Sequence, residues 1–207
     1  MLDKWLLRSK FKKIVENIVK RLFYNKVSAN QLTIIALILG LLSALSIFLT
    51  GILIWQLELI ICAAVLMILS FFFDALDGAL ARLETETLFG GILDIFFDRT
   101  VEVFIIIALI STDTSNLVWP GILSLGAIVL CISMFLLIGG TVKEEELDET
   151  KKAIYYRFGL MERTETFIFL ILITILVPLR IILLWMFSFL VFLTAILRLI
   201  DAYNLLK

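Results

Sequence analysis

Hydrophobic residues fall along this chain in long runs, not in the short alternation of a half-buried sheet. Six apolar stretches recur, near 31–50, 54–79, 88–110, 117–139, 165–179 and 182–200, separated by short polar breaks. Each approaches the ~20 residues that carry a helix across a bilayer, and the fifth is the short one. The first 27 residues differ. Leu7, Phe11, Ile14, Ile18 and Leu22 recur at helical spacing, while Lys10, Lys13, Lys20 and Arg21 take the opposite side. That predicts a basic amphipathic helix in the headgroup plane, with Trp5 as its interface anchor. The pattern predicts an all-α integral membrane protein. Residues 1–27 form a juxtamembrane amphipathic helix, and residues 28–207 form one domain of six transmembrane helices.

Composition agrees. Of the 207 residues 62% are hydrophobic, more apolar surface than a soluble domain of this length can bury. Cys62 and Cys131 sit in separate apolar runs and read as small buried hydrophobes. The chain has no histidine, which rules out a His-ligated zinc or iron site and leaves proton transfer to carboxylates, Lys, Tyr or water. The N-terminal stretch lacks the short apolar core and small-residue cleavage site of a signal peptide, so none is expected.

Charge sets the expected orientation. Lys and Arg concentrate in residues 1–26, at Arg82 and in the 143–163 segment, whereas the short connections near 50–54 and 111–116 carry neither. Both termini are therefore expected on the cytoplasmic side, with Arg180 as the one violation. The basic N-terminal run belongs to a membrane surface, so membrane lipid and no nucleic acid is the expected partner.

The chemistry concentrates in residues 74–98. Asp74 and Asp77 are three apart and Asp94 and Asp98 four apart, so on helices each pair shares a face. Carboxylates inside apolar segments cost several kcal/mol unless compensated, and they are functional candidates by default. With the two helices side by side, all four are expected to converge, and hard divalent cations held by oxygen ligands remove their mutual repulsion. Pairing with Arg82 and Arg99 alone leaves four carboxylates against two cations. Glu102 continues the stripe one turn further and is expected to pair with Arg99. Asn30 is expected as the N-cap of the first membrane helix.

The full pattern reads Asp74-x2-Asp77-Gly78-x2-Ala81-Arg82, a gap of seven residues, then Gly90-x3-Asp94-x3-Asp98. It resembles the signature of the CDP-alcohol phosphotransferases, with every signature position filled. The resemblance implies a membrane enzyme that moves a substituted phosphate from a CDP-linked alcohol to an acceptor hydroxyl and releases CMP. It implies that Asp74, Asp77, Asp94 and Asp98 hold one or two Mg2+ or Mn2+ ions, with Asp98 also the general base. Gly78, Ala81, Arg82 and Gly90 would shape the cytidine-diphosphate site, with the Thr87 hydroxyl within reach of base or phosphate. Asn30-x2-Thr33 is similar to the Pro-Asn-x2-Thr found near that site, although Ala29 replaces the proline. Two runs, Gly159-Leu-Met-Glu-Arg163 and Thr194-Ala-Ile-Leu-Arg198, look similar to stretches that hold the phosphate of phosphorylated acceptors. Arg157, Arg163 and Arg198 are the acceptor candidates on that basis, and topology-setting arginines are the plainer reading.

For a membrane member without a fused soluble domain, the implied donor is CDP-diacylglycerol or CDP-archaeol. The implied acceptor is a small polar alcohol of inositol phosphate or glycerol phosphate type. A CDP-choline or CDP-ethanolamine enzyme with a diacylglycerol acceptor stays open, as does a homodimer. An ion-coupled transporter, the rival from another class, predicts inverted repeats and broken mid-membrane helices, and the sequence displays neither. A scaffold without catalysis needs no four-carboxylate register.

Overall fold

The computed structural model describes residues 15, 17–21, 23–24, 26–84, 87–141 and 159–207, apart from the side chain of Leu206. The principal helices are α1 (Ala29–Thr50), α2 (Gln56–Leu83), α3 (Leu88–Thr112), α4 (Thr114–Thr141), α5 (Arg163–Ile175) and α6 (Arg180–Leu206). Four segments are long and apolar enough to cross a membrane: α1, α2, α4, and α6 with the turn before it (Val177–Leu205). At 1.5 Å per residue, α3 also has the length of a span, but it carries Asp94, Asp98, Arg99 and Glu102; α5, at 13 residues, reaches only about 20 Å. No strand occurs among the described residues.

Large apolar residues cover much of the helix exteriors, while the interior packs apolar residues together with small and hydroxyl-bearing ones. On α1 the polar and small residues Thr33, Ala36, Gly40, Ser43 and Ala44 are buried, while Ile34, Ile38, Leu45 and Phe48 are exposed. Small residues let helices approach closely, and hydroxyls then reach carbonyls across the gap. The Ser43 hydroxyl donates to the Ala63 carbonyl at 2.8 Å, and Ser70 donates to Ala36 at 2.7 Å, joining α1 and α2 twice. Gly40 faces α3 so closely that an added Cβ would lie 2.5 and 2.7 Å from the Val101 methyls.

Helix ends follow local chemistry. The cap of α1 is Ser28, not Asn30. The Ser28 hydroxyl accepts from the Gln31 amide (3.4 Å) and Gln31 Oε1 accepts from the Ser28 amide (3.0 Å), a reciprocal capping box that leaves the Asn30 side chain for other work. The apolar run at 165–179 is not one helix. Pro178 has no N–H to donate and restricts the residue before it, so α5 ends at Ile175 and a 3-10 turn covers Val177–Leu179. Arg180, the exception to the charge rule, is buried at the start of α6. Its Nε and Nη2 donate to the Ile173 and Thr174 carbonyls (3.1 and 3.0 Å), and Nη1 donates to Thr112 Oγ1 (3.2 Å). These are last-turn carbonyls that the broken helix would otherwise leave unpaired.

Of the predicted N-terminal helix, residues 17–21 are helical. Val15 and Val19 are buried against Leu32 of α1 and Leu76, Ala79 and Leu80 of α2. Residues 1–14, with Trp5, lie outside the described residues, as does the 142–158 segment with Arg157.

Candidate active site

α2 and α3 carry their aspartates at the end where α2 finishes and α3 begins. Thr87 caps α3 by accepting from the Gly90 amide at 3.0 Å, which fixes the first turn of that helix beside the last turn of α2. The spacing places Asp94 and Asp98 on one face, and Asp74 on α2 meets them. Carboxylate oxygens of Asp74, Asp94 and Asp98 all lie within 4.8 Å of one another. Asp77 does not join that trio. It is buried one turn along α2, and its Oδ2 has no hydrogen-bond partner among the described residues.

Arg163 enters the trio from the first turn of α5. Its Nη2 forms an ion pair with Asp74 Oδ1, lies 2.6 Å from Asp98 Oδ1 and lies 3.4 Å from Asp94 Oδ1. One turn further along α5, Phe167 stacks on Phe71 of α2 with ring centroids 4.5 Å apart, and Phe71 precedes Asp74 by three residues. The aromatic pair therefore sets the height of α5 against α2, and the guanidinium meets the carboxylates as a result.

The donor set fits a hard divalent cation. It offers only oxygens, from three carboxylates, and Asp77 one turn away keeps a buried oxygen unpartnered among the described residues. Oxygens at about 2.0–2.1 Å from Mg2+ lie about 3 Å apart when adjacent and about 4.2 Å apart when opposite, so the trio, within 4.8 Å, draws inward to hold an ion. The Arg163 guanidinium places a positive charge among these oxygens.

Three cavities surround the carboxylates. The largest, about 540 Å3, is lined by Asn30 and Thr33 from α1, Asp77, Gly78, Ala81 and Arg82 from α2, Thr87, Gly90 and Asp94, and Arg163. It thus brings together the six residues that the signature and the partial Asn-x2-Thr match offer for the nucleotide, with Thr87 of the connection beside them. At Gly90 an added Cβ would come within 2.9 Å of Thr87 Oγ1 and 3.3 Å of Asn30 Oδ1, so glycine keeps the wall open there. A cavity of about 40 Å3 beneath the cluster is bounded by Asp74, Asp98, Glu102 and Arg163 among apolar neighbours. A third, about 150 Å3, lies on the other side of Asp98 and is lined by Arg99, Glu162, Thr166 and Arg198.

The acceptor candidates separate. Arg163 faces the large cavity and the carboxylates, whereas Arg198 lies in the third cavity over the Phe135 ring at 5.0 Å, with Glu162 at 3.9 Å. The two runs carrying them touch, the Met161 amide donating to Thr194 Oγ1 at 3.0 Å, while within the first run the Gly159 amide donates to Glu162 Oε1 at 2.7 Å. Glu102 is buried and pairs with Arg99 Nη1 at 2.5 Å, as its spacing predicts, and also accepts from Thr166 Oγ1 at 3.1 Å. Spacing offers Arg99 as a partner of Glu102 or as a countercharge of the aspartates, and does not show its place in the Asp98 cavity. The missing signal is the rotation of α3 against α4 and α6, which spacing within one helix does not carry.

Fold and site together define a polytopic helical membrane protein with an oxygen-donor centre opening on polar cavities. The model for the CDP-alcohol phosphatidyltransferase family matches residues 26–197, and the chain belongs to that family of transferases. Among curated relatives, archaetidylinositol phosphate synthase of Pyrococcus horikoshii is 36% identical over 101 residues, 48% of this chain and 50% of that protein. Inner membrane protein YnjF of Escherichia coli is 30% identical over 175 residues, 83% of this chain and 81% of its own length. The match therefore spans only about half the archaeal relative.

Proposed function

We propose that this protein transfers a substituted phosphate from a CDP-linked lipid, CDP-diacylglycerol or CDP-archaeol, to the hydroxyl of a small polar acceptor, releasing CMP. The observation that carries this reading is the 540 Å3 cavity, whose wall combines the signature residues with Asp77, Asp94 and Arg163. In the proposal six helical segments cross the bilayer, the short α5 extended by the Val177–Leu179 turn, with the site and both termini on the cytoplasmic side and the N-terminal helix at the interface.

Asp74, Asp77, Asp94 and Asp98 would hold one or two Mg2+ or Mn2+ ions. Bound there, the ions neutralise the diphosphate and the departing CMP phosphate. Arg82, with Asn30, Thr33, Gly78, Ala81, Thr87 and Gly90, orients the cytidine diphosphate. The guanidinium serves as a fixed donor fork, and the glycines leave room for the ligand. Asp98 borders the smaller cavities, where its carboxylate takes the proton of the acceptor hydroxyl. Arg198 in the third cavity and Arg163 at the cluster favour an acceptor that carries a phosphate. The name of the archaeal relative points the same way, to an inositol phosphate acceptor and an archaetidyl donor.

The test is CMP release by the purified protein with each CDP-lipid against inositol phosphate, glycerol phosphate, inositol and serine. Release that depends on both substrates supports the proposal. Turnover only with CDP-choline and diacylglycerol would replace it.

A further inference from the structure

The carboxylate trio and Arg163 cannot keep their present arrangement once a divalent cation is held there. The guanidinium is already within ion-pair distance of Asp74, Asp94 and Asp98, whose oxygens lie within 4.8 Å of one another. A dication among those oxygens would sit in contact with the guanidinium, and like charges at that separation repel strongly in a partly dry site. We propose that Arg163 is a built-in countercharge that exchanges with the metal. It neutralises the unloaded carboxylates and lowers their affinity for the ion, and it is turned toward the large cavity when the ion arrives.

The surroundings suit such an exchange. The Arg163 side chain keeps 32% of its surface exposed and already lines the 540 Å3 cavity, so it has somewhere to go without moving backbone. Its helix is held independently, by the Phe71–Phe167 stack at one level and by Arg180 at the far end. The exchange also couples two ligands. A guanidinium driven off the carboxylates by metal is available to an anion, so metal and a phosphorylated acceptor should each strengthen the other. This last step rests on the phosphatidyltransferase reading, whereas the exchange itself needs only the metal centre.

Mn2+ binding to the purified full-length protein in detergent, followed by electron paramagnetic resonance, tests the exchange without reference to turnover. Arg163→Gln removes the competing charge and should tighten Mn2+ about fivefold or more, within the usual range of such couplings. Arg163→Lys keeps the charge and should stay near wild type. Equal or weaker binding by Arg163→Gln overturns the exchange and leaves the metal centre standing, while absence of Mn2+ binding in both proteins removes the centre itself. A second measurement uses wild type alone. Phenylglyoxal should modify Arg163 faster in excess Mn2+ than in chelator, read by peptide mass spectrometry. Modification that is unchanged or slowed by Mn2+ overturns the proposal.

Discussion

Four aspartates within 25 residues do different work because their surroundings differ. Asp77 is buried with its Oδ2 unpartnered among the described residues, and both Asp77 and Asp94 border the large cavity. Replacing either by Asn keeps the volume and removes the charge, so Asp77→Asn and Asp94→Asn should each abolish CMP release while the protein stays folded. Excess chelator should do the same to wild type, with recovery on adding Mg2+ or Mn2+; full activity in chelator would refute the metal role. Asp98→Asn should separate binding from chemistry. We expect CDP-lipid affinity within a few-fold of wild type and a kcat lower by about 10²–10⁴-fold, the usual worth of a general base. Donor titration and single-turnover rates on that variant decide it, since lost donor binding would make Asp98 a metal ligand first. Arg82→Ala should weaken the donor, whereas Arg198→Ala should raise KM for a phosphorylated acceptor and leave inositol unaffected. The aspartate register was legible in the sequence because helical spacing alone aligns residues on one face. The displacement of Asp77 from the trio was not, because it depends on how α2 is rotated against α3. The Asn30 side chain likewise lines the cavity only because Ser28 and Gln31 complete the cap.

At the scale of helices, apolar runs marked where elements occur, and punctuation decided where they end. Every run near the expected position holds a helix, yet the 165–179 run stops early at Pro178 and gives its last carbonyls to Arg180. Charge statistics flagged Arg180 as an anomaly and could not supply the reason, which lies in backbone groups freed seven residues upstream. Arg180→Met keeps most of the apolar stem but leaves the Ile173 and Thr174 carbonyls without their donor. We expect a loss of about 1–3 kcal/mol per abandoned group, read as a lower melting temperature, with residual activity per folded molecule retained. Close approach is the other element-scale constraint. Gly40→Ala pushes a methyl into the Val101 side chain between α1 and α3, and overpacking of this kind costs about 1–3 kcal/mol. If Gly40→Ala melted like wild type, the α1–α3 separation would have to be wider than described.

For the molecule as a whole, the apolar exterior describes a protein whose solvent is lipid on most sides. The family match over residues 26–197 agrees with what one 25-residue stretch implied. Acceptor identity was less legible, since the candidate arginines of α5 and α6 lie in different cavities, a separation that only the fold decides. The proposed orientation has its own check. A cysteine placed at Asp113, between α3 and α4, should label with an impermeant maleimide only from the outer face of intact cells. A cysteine at Lys207 should label only after lysis, and the reverse pattern would invert the topology.

The anchoring of α5 bears on tempo. Stacked on Phe71 near its beginning and tied to Arg180 at its end, this short helix is poorly suited to sliding or tilting through a catalytic cycle. Shifts of packed helices occupy microseconds to milliseconds, whereas rotation of an exposed side chain takes picoseconds to nanoseconds. The proposed exchange, confined to one guanidinium, needs no helix movement to reset. The cycle then needs no internal hinge, and its speed is set by chemistry or by the delivery and departure of lipid.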